Sequence, residues 1–128
     1  MSPTQRARQD LKAMGAVSQI VERWNPHARI RQDLFGCIDL LVLHGGILGV
    51  QACAGSSHSA RTKKALAEPR LKTWLLSGGR FEVWSWAKRG PRGKAKRWTL
   101  RRTAVELGTD GTTMVAVELP DPLLPPST

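Results

Sequence analysis

The 128-residue chain has few of the features that would place it in a membrane, secreted or repeat class. No apolar run approaches the roughly 20 residues that a membrane-spanning helix needs. The first fifteen residues, MSPTQRARQDLKAMG, carry charges throughout and contain no apolar signal-peptide core. The chain also has no internal repeat. We therefore expect a cytoplasmic protein with no membrane partner, and the length favours one domain with one core.

Cysteine is scarce, because only Cys37 and Cys53 are present. Both lie in apolar, strand-like segments, which favours free thiols in a reducing compartment. A disulfide between them is a minor alternative. No second histidine or cysteine lies at zinc-ligand spacing, so the sequence does not predict a structural zinc site.

Acidic residues are few, and one third of the chain almost lacks them. The chain has 20 Lys and Arg against 10 Asp and Glu, a net charge of +10. Residues 61–102 hold fourteen Lys and Arg against two acids, a balance of +12, which leaves −2 for the remainder. Positive charge confined to one segment favours a surface that binds a polyanion, above all nucleic acid. A merely solubilising surface is the alternative.

The spacing of apolar residues predicts a single domain, residues 1–119, that mixes helices and strands. The predicted elements are a helix over 3–24 that Gly15 kinks or splits, strands over 28–33, 37–43 and 47–53, a helix over 58–67, a helical turn over 69–76, a strand over 80–86, a basic loop over 88–96, and a hairpin of strands over 97–107 and 113–119. Residues 120–128 form a proline-rich tail that we expect to be flexible. This order predicts an α/β or α+β sandwich with a mixed sheet.

Two polar residues interrupt the apolar hairpin CIDLLVLHGGILGVQACA. With a three-residue HGG turn, Leu43 pairs with Ile47, and Asp39 falls opposite Gln51. Opposed side chains are close enough to share one divalent ion. A two-residue turn would put Asp39 and Gln51 on opposite faces of the sheet, and the two glycines permit either turn.

The segments RIRQDLFGCIDLLVL and GVQACAGSSHSARTKKAL resemble the core of PD-(D/E)XK nucleases. The likeness is greatest to small phage and bacterial members related to archaeal-type Holliday-junction resolvases, and it covers roughly residues 10–87. It implies a restriction-endonuclease-like core of order α-β-β-β-α-β, here with a C-terminal β-hairpin appended. It further implies a Mg²⁺- or Mn²⁺-dependent endonuclease for branched DNA, acting as a homodimer in a bacterial or phage-infected cell.

The resemblance also implies roles for four residues. Asp39 matches the metal-binding aspartate of the second strand, and Gln51 stands at the Glu/Gln of the third. Asp33 is a further carboxylate for the metal, with an Asx-turn residue as the alternative. Glu22 is the candidate for the glutamate of the first helix, with a solvated helix residue as the alternative.

Cys53 departs from the family pattern, because it occupies the position of the lysine that helps to activate water. A buried thiol is a weak donor and resists ionisation. Lys64 or Lys63 from the next helix is expected to replace the lysine, or metal-bound water suffices, or the protein binds DNA without cutting it. A catalytically inactive nucleic-acid-binding protein and a phage-type protein-interaction factor are therefore the alternative functions.

The predicted DNA contacts lie on three basic segments. They are Arg29 and Arg31 in the first, Ser57, His58, Arg61, Lys63 and Lys64 in the second, and Lys88, Arg89, Arg92, Lys94, Lys96 and Arg97 in the third. For His58, a cap at the surface is the alternative. Tryptophans at 84, 86 and 98 either stack on bases or pack in a core or a dimer contact.

Overall fold

Three α-helices and eight strands are present in residues 1–120, the part of the chain that the computed structural model describes. They are α1 (Pro3–Ala13), β1 (Val17–Ile20), β2 (Arg23–Asn25), β3 (Ile30–Gln32), β4 (Leu40–Leu43), β5 (Ile47–Ala54), α2 (His58–Leu66), α3 (Pro69–Leu76), β6 (Arg80–Arg89), β7 (Arg97–Leu107) and β8 (Met114–Leu119). A short 3₁₀ turn, Gly55–Ser57, joins β5 to α2. The tail predicted over 120–128 lies, from residue 121 on, outside the described residues. No helix within residues 1–120 has both the length and the apolar character to cross a membrane.

Six of the strands form one mixed sheet in the order β1-β4-β5-β6-β7-β8. The β5–β6 pair is parallel, and the other four pairs are antiparallel. The short strands β2 and β3 pair only with each other and form a separate small hairpin. The α/β class with a mixed sheet is therefore confirmed, and the C-terminal hairpin extends the central sheet at its β6 side.

Helices cover both faces of this sheet. Alternate residues of the central strands point to opposite sides, so each face packs against different helices. On one face Ala7 and Leu11 of α1 pack with Leu40, Val50 and Trp84. On the other face, residues of α2 and α3 pack against β5, β6 and β7; this second core includes Cys53, Ala65, Leu71, Phe81 and Val105. The two faces explain why the hairpin sequence reads as almost continuously apolar.

The predicted helix over 3–24 is wrong beyond Ala13. Helix α1 ends at Ala13, and Met14 is its C-cap residue. The chain then turns at Gly15, whose φ of +77° suits glycine. Residues 17–20 then pair antiparallel with β4 as an edge strand. The predicted strand over 28–33 is also wrong in part, because only Ile30–Gln32 is a strand, and it lies outside the central sheet.

The predicted turn and register of the apolar hairpin are confirmed. Residues 44–46 form a three-residue turn in which Gly45 and Gly46 have φ values of +64° and +139°. These left-handed values suit residues without a side chain. Leu43 accordingly pairs with Ile47 across β4 and β5. The strand predicted over 37–43 begins only at residue 40, so Asp39 immediately precedes β4 instead of lying in its middle.

Candidate metal centre

The side chains of Asp39 and Gln51 meet, as the register predicted. Gln51 Nε2 donates a hydrogen bond of 2.6 Å to Asp39 Oδ2, and the Ala52 backbone N–H donates to the same oxygen at 2.9 Å. Asp39 is 3% exposed and Gln51 2% exposed. The Asp39 carboxylate thus caps the end of the β4–β5 ladder and is fixed by two donors from β5.

Two further carboxylates lie beside Asp39. Glu22 lies in the β1–β2 connection, and Asp33 follows β3. One carboxylate oxygen from each of these residues and one from Asp39 lie within 4.8 Å of one another. A backbone hydrogen bond fixes the Glu22 loop next to Asp39, since the Val21 N–H donates to the Asp39 carbonyl at 2.9 Å. Both carboxylates that the resemblance implied are therefore next to Asp39, although Glu22 comes from a loop and not from the first helix.

The carboxylate group strongly favours a bound positive charge. The pKa of Asp39 is raised from an ordinary 3.8 to about 8, first by burial and then by a hydrogen bond and the charge from Asp33. The charge of Glu22 adds to this effect, while the Ala52 N–H opposes it. Three acids this close cannot all be ionised at low cost without a proton or a cation among them.

Gln51 supplies an independent sign of a ligand. Its Oε1 atom is buried and has no hydrogen-bond partner within residues 1–120. A buried unpaired carbonyl oxygen costs about 1–3 kcal/mol. The three carboxylates form an all-oxygen donor set, which is the set that Mg²⁺ and Mn²⁺ prefer, and Gln51 fixes one of them, Asp39, through Nε2. The residues present therefore fit the ion that the resemblance implied.

These groups line a cavity of about 640 Å³, here called the carboxylate cavity. Its walls include the three carboxylates and Gln51, residues 2–5 at the N-terminal end of α1, and Arg61 and Lys64 of α2. A helix N-terminus carries partial positive charge, so the cavity has cationic groups around an anionic floor. Arg31 also lines the cavity, and its Nη1 lies 3.2 Å from Glu22 Oε1.

A second cavity, of about 580 Å³, adjoins the first and shares Arg31, Asp33 and Lys64 with it. We call it the arginine cavity, because Arg23 and Arg70 also line it. The sequence analysis did not single out Arg23, Arg70 or the first turn of α1. A capping box joins Ser2 and Gln5 and was visible as S-x-x-Q, but nothing in the local sequence indicated that this helix end faces the site.

Cys53 is not a substitute for the family lysine. Its thiol is buried in the core on the α2 side of the sheet, and burial raises its pKa to about 11. Lys64, which the sequence analysis proposed as a replacement, lines both cavities. Lys63 is exposed on the same helix. The cationic group next to the carboxylates therefore comes from α2 and not from β5.

The predicted basic loop is the tip of a long hairpin, residues 88–97, which we call the basic arm. Strand β6 ends at Arg89 and strand β7 begins at Arg97, so only residues 90–96 form the loop. Because Ala54, the last residue of β5, pairs with Trp86, the arm projects past the end of β5 that carries Gln51. All residues of the arm are exposed.

The other predicted DNA contacts are spread over separate places. Arg29 lies in the exposed β2–β3 turn with a φ of +54°, and Arg31 pairs with Glu22. Ser57 is half-buried in the 3₁₀ turn before α2. Of these three residues, only Arg31 lines the carboxylate cavity.

The prediction that His58 lies at the surface and contacts DNA is wrong, because its side chain is 1% exposed. Its Nδ1 lies 2.5 Å from Ser85 Oγ, and its Nε2 lies 2.7 Å from Thr103 Oγ1. Thr103 in turn donates to Glu118 at 2.7 Å. Burial, followed by the charge of Arg101, lowers the pKa of His58. The residue anchors the start of α2 to the sheet.

Two of the candidate stacking residues, Trp84 and Trp86, belong to the core and are 1% and 6% exposed. Trp84 donates to Glu82 at 2.9 Å, and Trp86 donates to Asp10 of α1 at 3.3 Å. Their alternation along β6 therefore reflects packing under α1. Trp98, on β7, is exposed.

No family model, curated protein or solved structure matches the chain.

Proposed function

We propose that the protein is a metal-dependent DNA endonuclease that hydrolyses phosphodiester bonds with Mg²⁺ or Mn²⁺. The observation that carries the proposal is the group of Glu22, Asp33 and Asp39, which bring one oxygen each to within 4.8 Å of one another, with Gln51 Nε2 bonded to Asp39. A donor set of this kind inside a cavity with cationic walls suits an ion that binds a phosphate as well as the protein.

The order of elements supports the same proposal. The central sheet is built by a helix, three antiparallel strands, helices and a strand parallel to the third, which is the α-β-β-β-α-β order of the nuclease core. In this order β1, β4 and β5 are the three strands. Asp39 and Gln51 then stand next to the second strand and within the third, where the resemblance puts the metal-binding residues.

In the proposed reaction, each group of the cavity has one task. Asp39, Asp33 and Glu22 would hold the ion, and Gln51 would fix the Asp39 carboxylate through its Nε2. The ion supplies Lewis-acid polarisation of the phosphate and a lower pKa for the attacking water. Lys64 and Arg61 offset the charge that develops on the phosphate while water adds to phosphorus and the bond to the leaving oxygen breaks.

DNA binding is proposed to follow charge and shape more than base sequence. The basic arm projects at the end of the sheet that carries the carboxylate cavity, and the arginine cavity adjoins the carboxylate cavity. Phosphate contacts of this kind make affinity fall steeply with salt. Branched DNA is the proposed substrate, by analogy with the resolvase-like proteins, and a homodimer would place two such sites on one junction.

A binding-only role is the second candidate, and Cys53 is the observation that favours it. The third-strand lysine is missing, and a thiol with a pKa of about 11 contributes no charge at neutral pH. In this alternative, the carboxylate cavity binds an ion that positions a phosphate without cutting it.

One experiment separates the two candidates. Labelled linear, forked and four-way DNA are incubated with and without Mn²⁺ or Mg²⁺, using the wild type and Asp39→Asn. We expect metal-dependent cleavage by the wild type and a loss of at least about 100-fold in Asp39→Asn, the size expected when a principal electrostatic group is removed. Binding without cleavage by the wild type would support the binding-only role.

Lys64 and Lys63 provide a matched pair for the role of the missing lysine. Both lie on α2 and have the same charge, but only Lys64 is among the residues that line the two cavities. We expect Lys64→Ala to lower the cleavage rate by about 10- to 100-fold and Lys63→Ala to change it by less than about threefold. Equal losses in both variants would show that α2 contributes only general positive charge.

A further inference from the structure

Trp98 differs from the tryptophans of the core, because it is 52% exposed at the base of the basic arm. The Arg6 guanidinium carbon lies 4.1 Å from its ring centroid, and the Lys88 ammonium lies 5.5 Å from it. Trp98 and Lys88 are paired across β6 and β7. An exposed aromatic ring thus has two cations within cation–π distance, one from a helix and one from the neighbouring strand, and half of its surface remains open to solvent.

This ring lies next to the wall of the carboxylate cavity. Residues 2–5 of α1 line that cavity, and Arg6, the next residue of the helix, lies over Trp98. The same α1 turns therefore border the carboxylates on one side and Trp98 on the other. A nucleic-acid strand with a phosphate in the cavity would pass this ring within a few nucleotides.

We propose that Trp98, with Arg6 and Lys88, is a stacking site for an unpaired base, so that the substrate carries a single-stranded segment beside the bond that is cut. The position of the cut rests on the proposed nuclease function, but the stacking itself does not. In a duplex, the faces of a base are covered by its neighbours, whereas an unpaired base offers its face to a tryptophan. Arg6 and Lys88 would hold the phosphates on either side of that base.

The test measures binding without cleavage, in EDTA. Three ligands are compared by fluorescence anisotropy: a 12-mer of thymidine, a 12-mer of the same charge whose central nucleotides are abasic, and a 12-base-pair duplex. The wild type is expected to prefer the thymidine strand to the abasic strand. Trp98→Ala should weaken binding of the thymidine strand by about 5- to 150-fold, the range for one stacked base, and leave the abasic strand nearly unchanged.

Two variants act as controls. Trp98→Phe keeps an aromatic face and should retain most of the preference for the thymidine strand. Trp24→Ala removes a tryptophan that is 57% exposed on β2, and it should leave the preference intact. Circular dichroism and the melting temperature verify that each variant is folded.

Several results would overturn the inference. One is that Trp98→Ala weakens the thymidine and abasic strands equally, which would indicate a change in charge or structure only. Another is that Trp98→Ala changes the binding of neither strand. A third is that Trp98→Ala converts a dimer into a monomer in sedimentation while the preference for the thymidine strand persists, which would make Trp98 a subunit contact. If the protein cuts DNA but shows no preference for the thymidine strand, the proposed nuclease function stands and the stacking site does not. If the protein shows the preference but does not cut DNA, the stacking site stands and the nuclease function does not.

Discussion

Replacing Asp39 with asparagine should stabilise the metal-free protein, although it alters a buried polar residue. Asparagine has nearly the shape of a protonated aspartate. Its Oδ1 can still accept from Gln51 and from the Ala52 N–H, which now donate to Asp39 at 2.6 and 2.9 Å. Its Nδ2 can donate to Asp33, whose carboxylate lies next to Asp39 in the group of three. The substitution thus removes a charge from the carboxylate group and retains the hydrogen bonds.

The size of this effect follows from the pKa of Asp39, which rises from 3.8 to about 8 in the folded protein. The folded state holds a proton on Asp39 that the unfolded chain releases. The contribution of Asp39 to the free energy of unfolding is therefore greatest below pH 3.8 and is lost as the pH rises through about 8. The ceiling for this loss is about 5–6 kcal/mol, and screening by water that reaches the cavity reduces it to about 1–3 kcal/mol. At pH 8, Asp39→Asn should therefore melt about 3–10 °C higher than the wild type, and at pH 4 it should melt at about the same temperature.

The assay is thermal unfolding followed by circular dichroism between pH 4 and pH 9, in EDTA and then with excess Mn²⁺. An ion at 100 times its dissociation constant should stabilise the wild type by about 2.7 kcal/mol, and Asp39→Asn should gain much less. Glu106→Gln, an exposed change of the same charge on β7, is the matched control. If Asp39→Asn melts below the wild type at pH 8 in EDTA, or if Mn²⁺ stabilises both proteins equally, the reasoning about the carboxylate group is wrong.

Three further predictions concern the core around the site. His58→Ala should lower the free energy of unfolding in urea by about 2–4 kcal/mol, because it leaves a void and removes the partner of two buried hydroxyls. Cys37 and Cys53, with pKa values raised by burial to about 12 and about 11, should react with a thiol reagent at pH 8 only after denaturant is added; rapid labelling of the native protein would contradict their burial. Gly49→Ala should destabilise by about 1–3 kcal/mol, since its Cβ would lie 2.7 Å from the Cδ1 of buried Ile38, and an unchanged urea midpoint would show that Ile38 moves freely.

The contact between Asp39 and Gln51 was predictable as one of two outcomes, because it depends on local rules. The HGG turn limits the hairpin to two registers, and alternation along a strand then decides which side chains share a face. The three-residue turn that the structure adopts brings the two side chains together. What the sequence could not decide was the choice between the two registers, because glycine permits both.

The positions of Glu22 and His58 were not predictable from local pattern. Ile20 and Val21 continue the apolar spacing of α1, so the segment resembles a helix, yet residues 17–20 pair with β4 more than twenty residues away. That pairing depends on the whole sheet, and tertiary contacts override local preference. His58 follows a serine-rich turn that resembles an exposed helix start, and its partners Ser85 and Thr103 come from strands far along the chain.

The carboxylate group is itself an argument for function, because the fold would be more stable without it. The buried carboxyl of Asp39 beside two half-buried acids, and a buried amide oxygen with no partner, both reduce stability. Elsewhere in residues 1–120, buried polar groups are well satisfied: Glu82 accepts from Trp84 and from Arg102, and both nitrogens of His58 have hydroxyl partners. Sequences that follow local rules everywhere except at one place tend to break them where they bind or react. The cavity lined by Glu22, Asp33, Asp39 and Gln51 is such a place, and a divalent ion bound by the three carboxylates would relieve their repulsion.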